Sequence, residues 1–251
     1  MFIFFVISGF LITRGIIAAD GDLARVRLRR FYVARAWRIL PLLLCVLAVL
    51  AVLASLDAPG FAPDPATQST GGLLASALSF TFNWYEGRTG WAPAGWDVLW
   101  SLSIEEAFYL GFPLLCLVLP RRFLLALLLA WALCLVPLRD LVPAANEVWR
   151  EKAYWPGMAA IAWGILAAWL SMRWHPGERT ARVLAWGGGG AIFLALGWDR
   201  LLHSLFRGAS LYLLCLGACC MLLGFAARAP GPRAGLRWLA RMGALSYELY
   251  L

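Results

Sequence analysis

Residues 39–56 read ILPLLLCVLAVLAVLASL, eighteen positions in which Ser55 is the only strongly polar side chain. A run of that length approaches the ~20 apolar residues that a helix needs to cross a bilayer. Working outward, comparable runs lie at 2–19, 98–119, 123–138, 153–172, 183–198 and 208–227, and an eighth begins near Met242 and reaches the last residue, Leu251. The apolar segment 73–84 is too short to cross and reads as a re-entrant or interfacial piece. Composition agrees with this reading: 62% of the 251 residues are hydrophobic and 14% are charged. A water-soluble domain of that make-up would expose large apolar patches, so soluble, disordered and fibrous classes are excluded. The expected fold is all-α: a polytopic integral membrane helix bundle of about seven spans plus a partial eighth, forming one membrane domain over 1–251.

The charge distribution sets the expected topology. If 73–84 does not cross, one side collects Arg14, Arg25, Arg27, Arg29, Arg30, Arg35, Arg38, Arg121, Arg122, Arg173, Arg179, Arg182, Arg228, Arg233, Arg237 and Arg241, which is 16 of the 22 basic residues. Arg88, Arg139, Arg150, Lys152, Arg200 and Arg207 remain on the other. If the segment crossed, the split would fall to 13 against 9, so the positive-inside rule favours the non-crossing arrangement with the Arg-rich face cytoplasmic. Met1 then lies outside, with neither the basic start nor the cleavage site of a signal peptide before it. The formal net charge of +8 therefore belongs to a membrane face, and nucleic acid is not an expected partner.

Residue types that often carry chemistry receive bland readings in several places. Cys45, Cys116, Cys134, Cys215, Cys219 and Cys220 all fall inside apolar runs, so they read as small packing residues, and no metal site is expected. His175 and His203 lie in loops and read as surface residues. The run Gly187, Gly188, Gly189 and Gly190 has no strand before it and no Lys after it, which leaves close helix packing as its purpose.

Two constellations do not fit a purely structural reading. Glu105 and Glu106 lie about two turns into the span 98–119, where a carboxylate costs about 2.5–3.5 kcal/mol to insert. Ser101, Glu105 and Tyr109 fall at i, i+4 and i+8, so they form one polar stripe on the helix. Two readings stand: a carboxylate anchoring a neighbouring helix, or one facing a binding or reaction cavity. The second constellation is the Arg-rich segment 20–41, in which Arg25, Arg27, Arg29, Arg30, Arg35 and Arg38 alternate with Leu28, Phe31, Tyr32, Val33 and Trp37. It reads as a basic amphipathic helix at the membrane surface. Arg35 and Arg38, one turn apart, suit either a lipid headgroup or a phosphate-bearing ligand.

Three segments together carry a family resemblance. They are FFVISGFLIT at 4–13, followed by FYVARAWRILP at 31–41; WSLSIEEAFY at 100–109; and GALSYELYL at 243–251. In this order and spacing the chain resembles the acyltransferase type 3 family of bacterial polytopic membrane O-acyltransferases. The resemblance implies transfer of an acyl group, most often acetyl, from cytoplasmic acyl-CoA to a hydroxyl of a surface glycan, lipid-linked sugar or similar acceptor. Acyl-CoA would be a donor substrate rather than a resident cofactor, and the protein would sit in a bacterial inner membrane, with a homo-oligomer an open arrangement. The family's Arg-x-x-Arg motif falls on Arg35 and Arg38, which the resemblance assigns to the acyl donor. Its Trp-Ser-Leu and Glu motif falls on Trp100, Ser101, Leu102 and Glu105, so Glu105, Ser101 and Tyr109 become the expected supporting residues of the reaction.

The chain also departs from the family pattern. Ala107 stands where that motif usually has Gln. The family's general base is a His on a helix ahead of the FFVISG segment, and the family continues past the motif at 243–251, so the expectation is a chain truncated at both ends and inactive alone. Two rival readings stand beside this one: a secondary transporter using Glu105 as an ion or proton site, and a non-catalytic remnant within a glycan-assembly complex.

Overall fold

A computed structural model describes residues 1–140, 147–199, 201–202 and 208–227. The described residues contain helices and no strand. The first helix, α1, is Phe2–Asp20, and a 3-10 turn at Leu23–Arg25 leads into α2, Leu28–Ser55. Two short helices follow, α3 at Thr70–Leu78 and α4 at Phe82–Thr89, then the long α5 at Leu99–Val118. Next come α6 (Arg121–Leu133), α7 (Leu135–Asp140), α8 (Glu147–Lys152), α9 (Tyr154–Ser171), α10 (Glu178–Gly197) and, last, α11 (Ala209–Ala226). Among the described residues six stretches are long and apolar enough to cross a membrane: α1, α2, α5, the α8–α9 run, α10 and α11. The architecture is an all-α polytopic membrane bundle.

Contacts at the helix ends establish the order of crossing. The Ala94 amide donates to the Gly60 carbonyl at 2.9 Å, so the chain leaving α2 and the chain entering α5 share one end of the bundle. The short helices α3 and α4 therefore remain at that end, as the 12-residue length of their apolar segment requires. The Tyr154 hydroxyl donates to the Phe80 carbonyl at 2.8 Å, which brings the start of α9 to the same end. At the opposite end Arg121 lies 3.9 Å from Asp22, and Arg121 and Arg173 both stand over the Trp169 ring. The Arg-rich turns thus gather at one end, where the charge ledger had put them.

Two expectations are corrected. The basic segment before residue 39 is not a separate surface helix, because α2 runs unbroken from Leu28 through Pro41 to Ser55. Its 28 residues rise ~42 Å, against a hydrocarbon core of ~30 Å, so ~12 Å of helix bearing the arginines overhangs the span. The fourth expected span, 123–138, is two helices broken at Cys134. Pro137 has no N–H to give the Leu133 carbonyl. The Tyr212 hydroxyl of α11 donates to that carbonyl instead and accepts from the Val136 amide at 3.4 Å, satisfying backbone groups that lipid could not.

Small residues hold the spans together. A Cβ on Gly164 of α9 would lie 2.8 Å from the Phe10 nitrogen, and one on Gly9 of α1 would lie 3.0 Å from the Ile161 carbonyl carbon. The two backbones are in direct contact, the usual basis of helix association in lipid. In the four-glycine run, Gly188 meets the α11 backbone whereas Gly187 and Gly190 face open space. Cys116, Cys215 and Cys219 are buried in the packed interior.

Candidate functional site

Two neighbouring cavities lie beside α1 and α2, and the inner one reaches α5. Helix α5 contributes Glu105 and Tyr109, which are one turn apart and 5% and 3% exposed. The Tyr109 hydroxyl donates to Glu105 Oε2 at 2.9 Å. Because the phenolic proton is committed there, the Ser8 hydroxyl of α1 donates to the Tyr109 oxygen. The result is a directed chain from Ser8 through Tyr109 to Glu105. The other carboxylate oxygen, Glu105 Oε1, is buried and has no hydrogen-bond partner among the described residues.

Helix α2 closes the same space. Ser8, Arg35, Arg38, Glu105 and Tyr109 line one cavity of about 70 Å³, walled by Phe4, Ile7 and Ile39. The Arg35 guanidinium sits between two rings, 4.9 Å from the Tyr109 centroid and 5.7 Å from that of Phe31. Such cation–π contacts hold the planar group while leaving its edge donors available. Arg35 and Arg38 form no ion pair among the described residues, whereas Arg27, Arg30, Arg121 and Arg182 each have an acidic partner. Two guanidinium groups without a salt-bridge partner among the described residues and the buried Glu105 carboxyl therefore line a common space, an arrangement suited to a ligand carrying both anionic groups and a hydroxyl.

Of the residues singled out from sequence, the structure brings Arg35, Arg38, Glu105 and Tyr109 together and leaves Ser101 off the cavity. Ser101 lies in the first turn of α5, where its hydroxyl donates to the Val98 carbonyl at 3.0 Å. Ser8 takes its place in the polar chain. Its sequence signal is the one that exposes Glu105, a polar side chain inside an apolar run. Glu106 is buried away from the cavity, with Oε1 unpartnered among the described residues. His175 is exposed in the linker between α9 and α10. His203, the partial eighth span and the motif at 243–251 lie outside the described residues.

A second polar cluster, at the opposite end of the bundle, was not anticipated. Lys152 Nζ donates to Glu86 Oε1 at 2.7 Å and to Asp97, and stands 4.5 Å from the Trp91 ring centroid. Lys152 and Glu86 are 2% and 0% exposed. Burial pushes the Glu86 carboxyl up to about 7 despite the ammonium beside it. The cluster ties α4, the strand-free segment before α5, and the end of α8 to one another.

A sequence profile described as an acyltransferase domain matches residues 1–251. The chain belongs to the acyltransferase type 3 family. Among curated relatives, an uncharacterized protein of Haemophilus influenzae is 35% identical over 129 residues, covering 49% of this chain and 51% of that protein. An O-acetyltransferase named OatA from Staphylococcus aureus is 32% identical over 125 residues, covering 48% of this chain and 20% of the relative. The chain thus spans half the length of the first relative and a fifth of the second. No solved structure gives a significant match.

Proposed function

We propose that this protein is a membrane O-acyltransferase that carries an acyl group from acyl-CoA to a hydroxyl of a glycan or lipid-linked sugar. Family membership and the O-acetyltransferase name of one relative support the reaction class. The observation that carries the reading is the convergence of Arg35, Arg38, Glu105, Tyr109 and Ser8, from three helices, on one cavity.

In this reading Arg35 and Arg38 hold the donor through charge-assisted guanidinium contacts. Glu105 Oε1 accepts a hydrogen bond from the acceptor hydroxyl and fixes its approach, while Tyr109 and Ser8 hold the carboxylate still. The hydroxyl oxygen attacks the thioester carbonyl carbon, a C–O bond forms and the C–S bond breaks. CoA leaves as the thiolate and takes up a proton, and the hydroxyl's own proton passes to a general base. The resemblance assigns that base to a His. Among the described residues none lines the cavity, so Glu105 is given an orienting role.

Isothermal titration with acetyl-CoA tests the donor half. Replacing Arg35 and Arg38 together by Ala should abolish saturable binding or weaken it by a hundredfold or so, since contacts to charged groups contribute about 1.5–3 kcal/mol each. Unchanged affinity in that double variant would sink the reading.

A further inference from the structure

A second cavity, of about 220 Å³, adjoins the reaction cavity along the α1–α2 groove, and the two share Ile12 and Arg35 as lining residues. Its floor is small, with Gly15 and Ala19 from α1 and Ala34 from α2, and its polar lining is Asp20, Arg30 and Arg35. Two of its three charged lining residues are cationic. Asp20 might be expected to cancel that charge, but its carboxylate is already taken: Arg27 Nε donates to Oδ1 at 2.7 Å and the Arg27 amide to Oδ2 at 3.2 Å. Arg30 is a loose partner by comparison, 3.8 Å from Asp20 Oδ1 and hydrogen-bonded to the Ala19 carbonyl at 3.3 Å. Its guanidinium is mostly exposed and retains donors for a ligand.

We infer that this outer cavity seats the phosphate-bearing end of the acyl donor, with Arg30 as a further phosphate-binding residue beside Arg35. The inference rests on the acyltransferase reading above and adds to it where the donor's charged end lies and which residues shape its seat. The spacing fits. Arg30 and Arg38 are eight residues apart on α2, a rise of ~12 Å. The pantetheine arm of CoA has about twelve chain atoms between phosphate and sulfur, the length of about four extended residues, or ~14 Å. A phosphate at Arg30 therefore places the thioester beside Arg38 and Glu105, with the neutral arm passing Ile12. Arg35, held between Phe31 and Tyr109 where the cavities meet, contacts the donor at the junction.

Gly15 supplies a test that spares the fold. A Cβ there would meet nothing within 4 Å, so the backbone has room for a side chain at this lining position, and Gly15→Leu is the variant that narrows the cavity. Gly190→Leu on α10, equally free of neighbours, is the matched control. CoA is titrated into the full-length protein in detergent by calorimetry, with thermal melting to confirm folding. Gly15→Leu and Arg30→Gln should each weaken CoA binding about tenfold or more, while Gly190→Leu binds as the parent does. Dephospho-CoA and short-chain phosphatidylglycerol are titrated in parallel to separate a nucleotide donor from a lipid headgroup as the source of phosphate. If Gly15→Leu and Arg30→Gln bind CoA normally while the Arg35/Arg38 double variant does not, the outer cavity is not the seat, yet the acyltransferase reading stands. If the parent binds the phospholipid in an Arg30-dependent way and binds neither CoA nor dephospho-CoA, both are overturned.

Discussion

Lys152 is the chain's only lysine, and its ammonium is buried between Glu86 and Asp97 rather than solvated in a loop. Removing one member of such a group leaves an uncompensated buried charge, at a cost of about 3–5 kcal/mol. Lys152→Met should therefore lower thermal stability in detergent sharply, and Lys152→Met combined with Glu86→Gln should recover part of the loss. The same carboxyl sets a pH dependence. Its folded value of about 7 lies above the ordinary value of 4.5, so between those two pH values the folded protein binds more protons than the unfolded chain. This contribution to stability is full below about pH 4.5 and is lost as pH rises toward 7. Melting curves across that window should be flatter for Glu86→Gln than for the parent, and identical slopes would show that the group does not titrate in the window. At the cavity, Tyr109→Phe leaves Glu105 Oε2 without its donor. It should cost about 1–3 kcal/mol of stability, read as a lower melting temperature in detergent, while CoA affinity holds. Charge in an apolar run made Glu105 legible in sequence. Ser8 was harder to see, because a serine is cheap enough in a span to pass as filler, and Lys152 looked like an ordinary loop cation.

At the scale of elements, the crossing of α1 and α9 depends on absent side chains. Gly9 and Gly164 let the backbones touch, so Gly164→Leu forces the helices apart and should cost about 1–3 kcal/mol or more, measured as a drop in melting temperature. Gly187→Leu, on the open face of the glycine run in α10, should leave melting unchanged. Hydropathy alone located α1, α5, α9 and α11 to within a few residues. It failed at 123–138 because the average over a window does not register a missing N–H. Pro137 was visible in the sequence, but the hydroxyl that repairs the break comes from Tyr212, 75 residues further on. For α2 the error ran the other way: Arg-rich composition suggested a surface helix, whereas helical hydrogen bonding carries straight across the membrane boundary.

The whole molecule is polarised along its axis, with Arg-rich turns at one end and α3, α4 and the Lys152 cluster at the other. Cysteines introduced at Ala24 and Ala66 of a cysteine-free background report the orientation. A membrane-impermeant maleimide should label Ala66→Cys in intact cells and Ala24→Cys only after permeabilisation. The reverse pattern would invert the assignment drawn from the charge ledger. The length of α2 has a bearing on the proposed donor as well. Because the helix begins ~12 Å before its hydrocarbon span, Arg30 and Arg35 stand at headgroup depth, and the first carboxylate a ligand meets further in is Glu105. A donor seated along it would keep its multiply charged handle in the wet layer and extend only an uncharged tether toward the dry interior. The membrane then acts as a sieve on a single molecule, admitting the reactive carbonyl and holding back the ionic remainder.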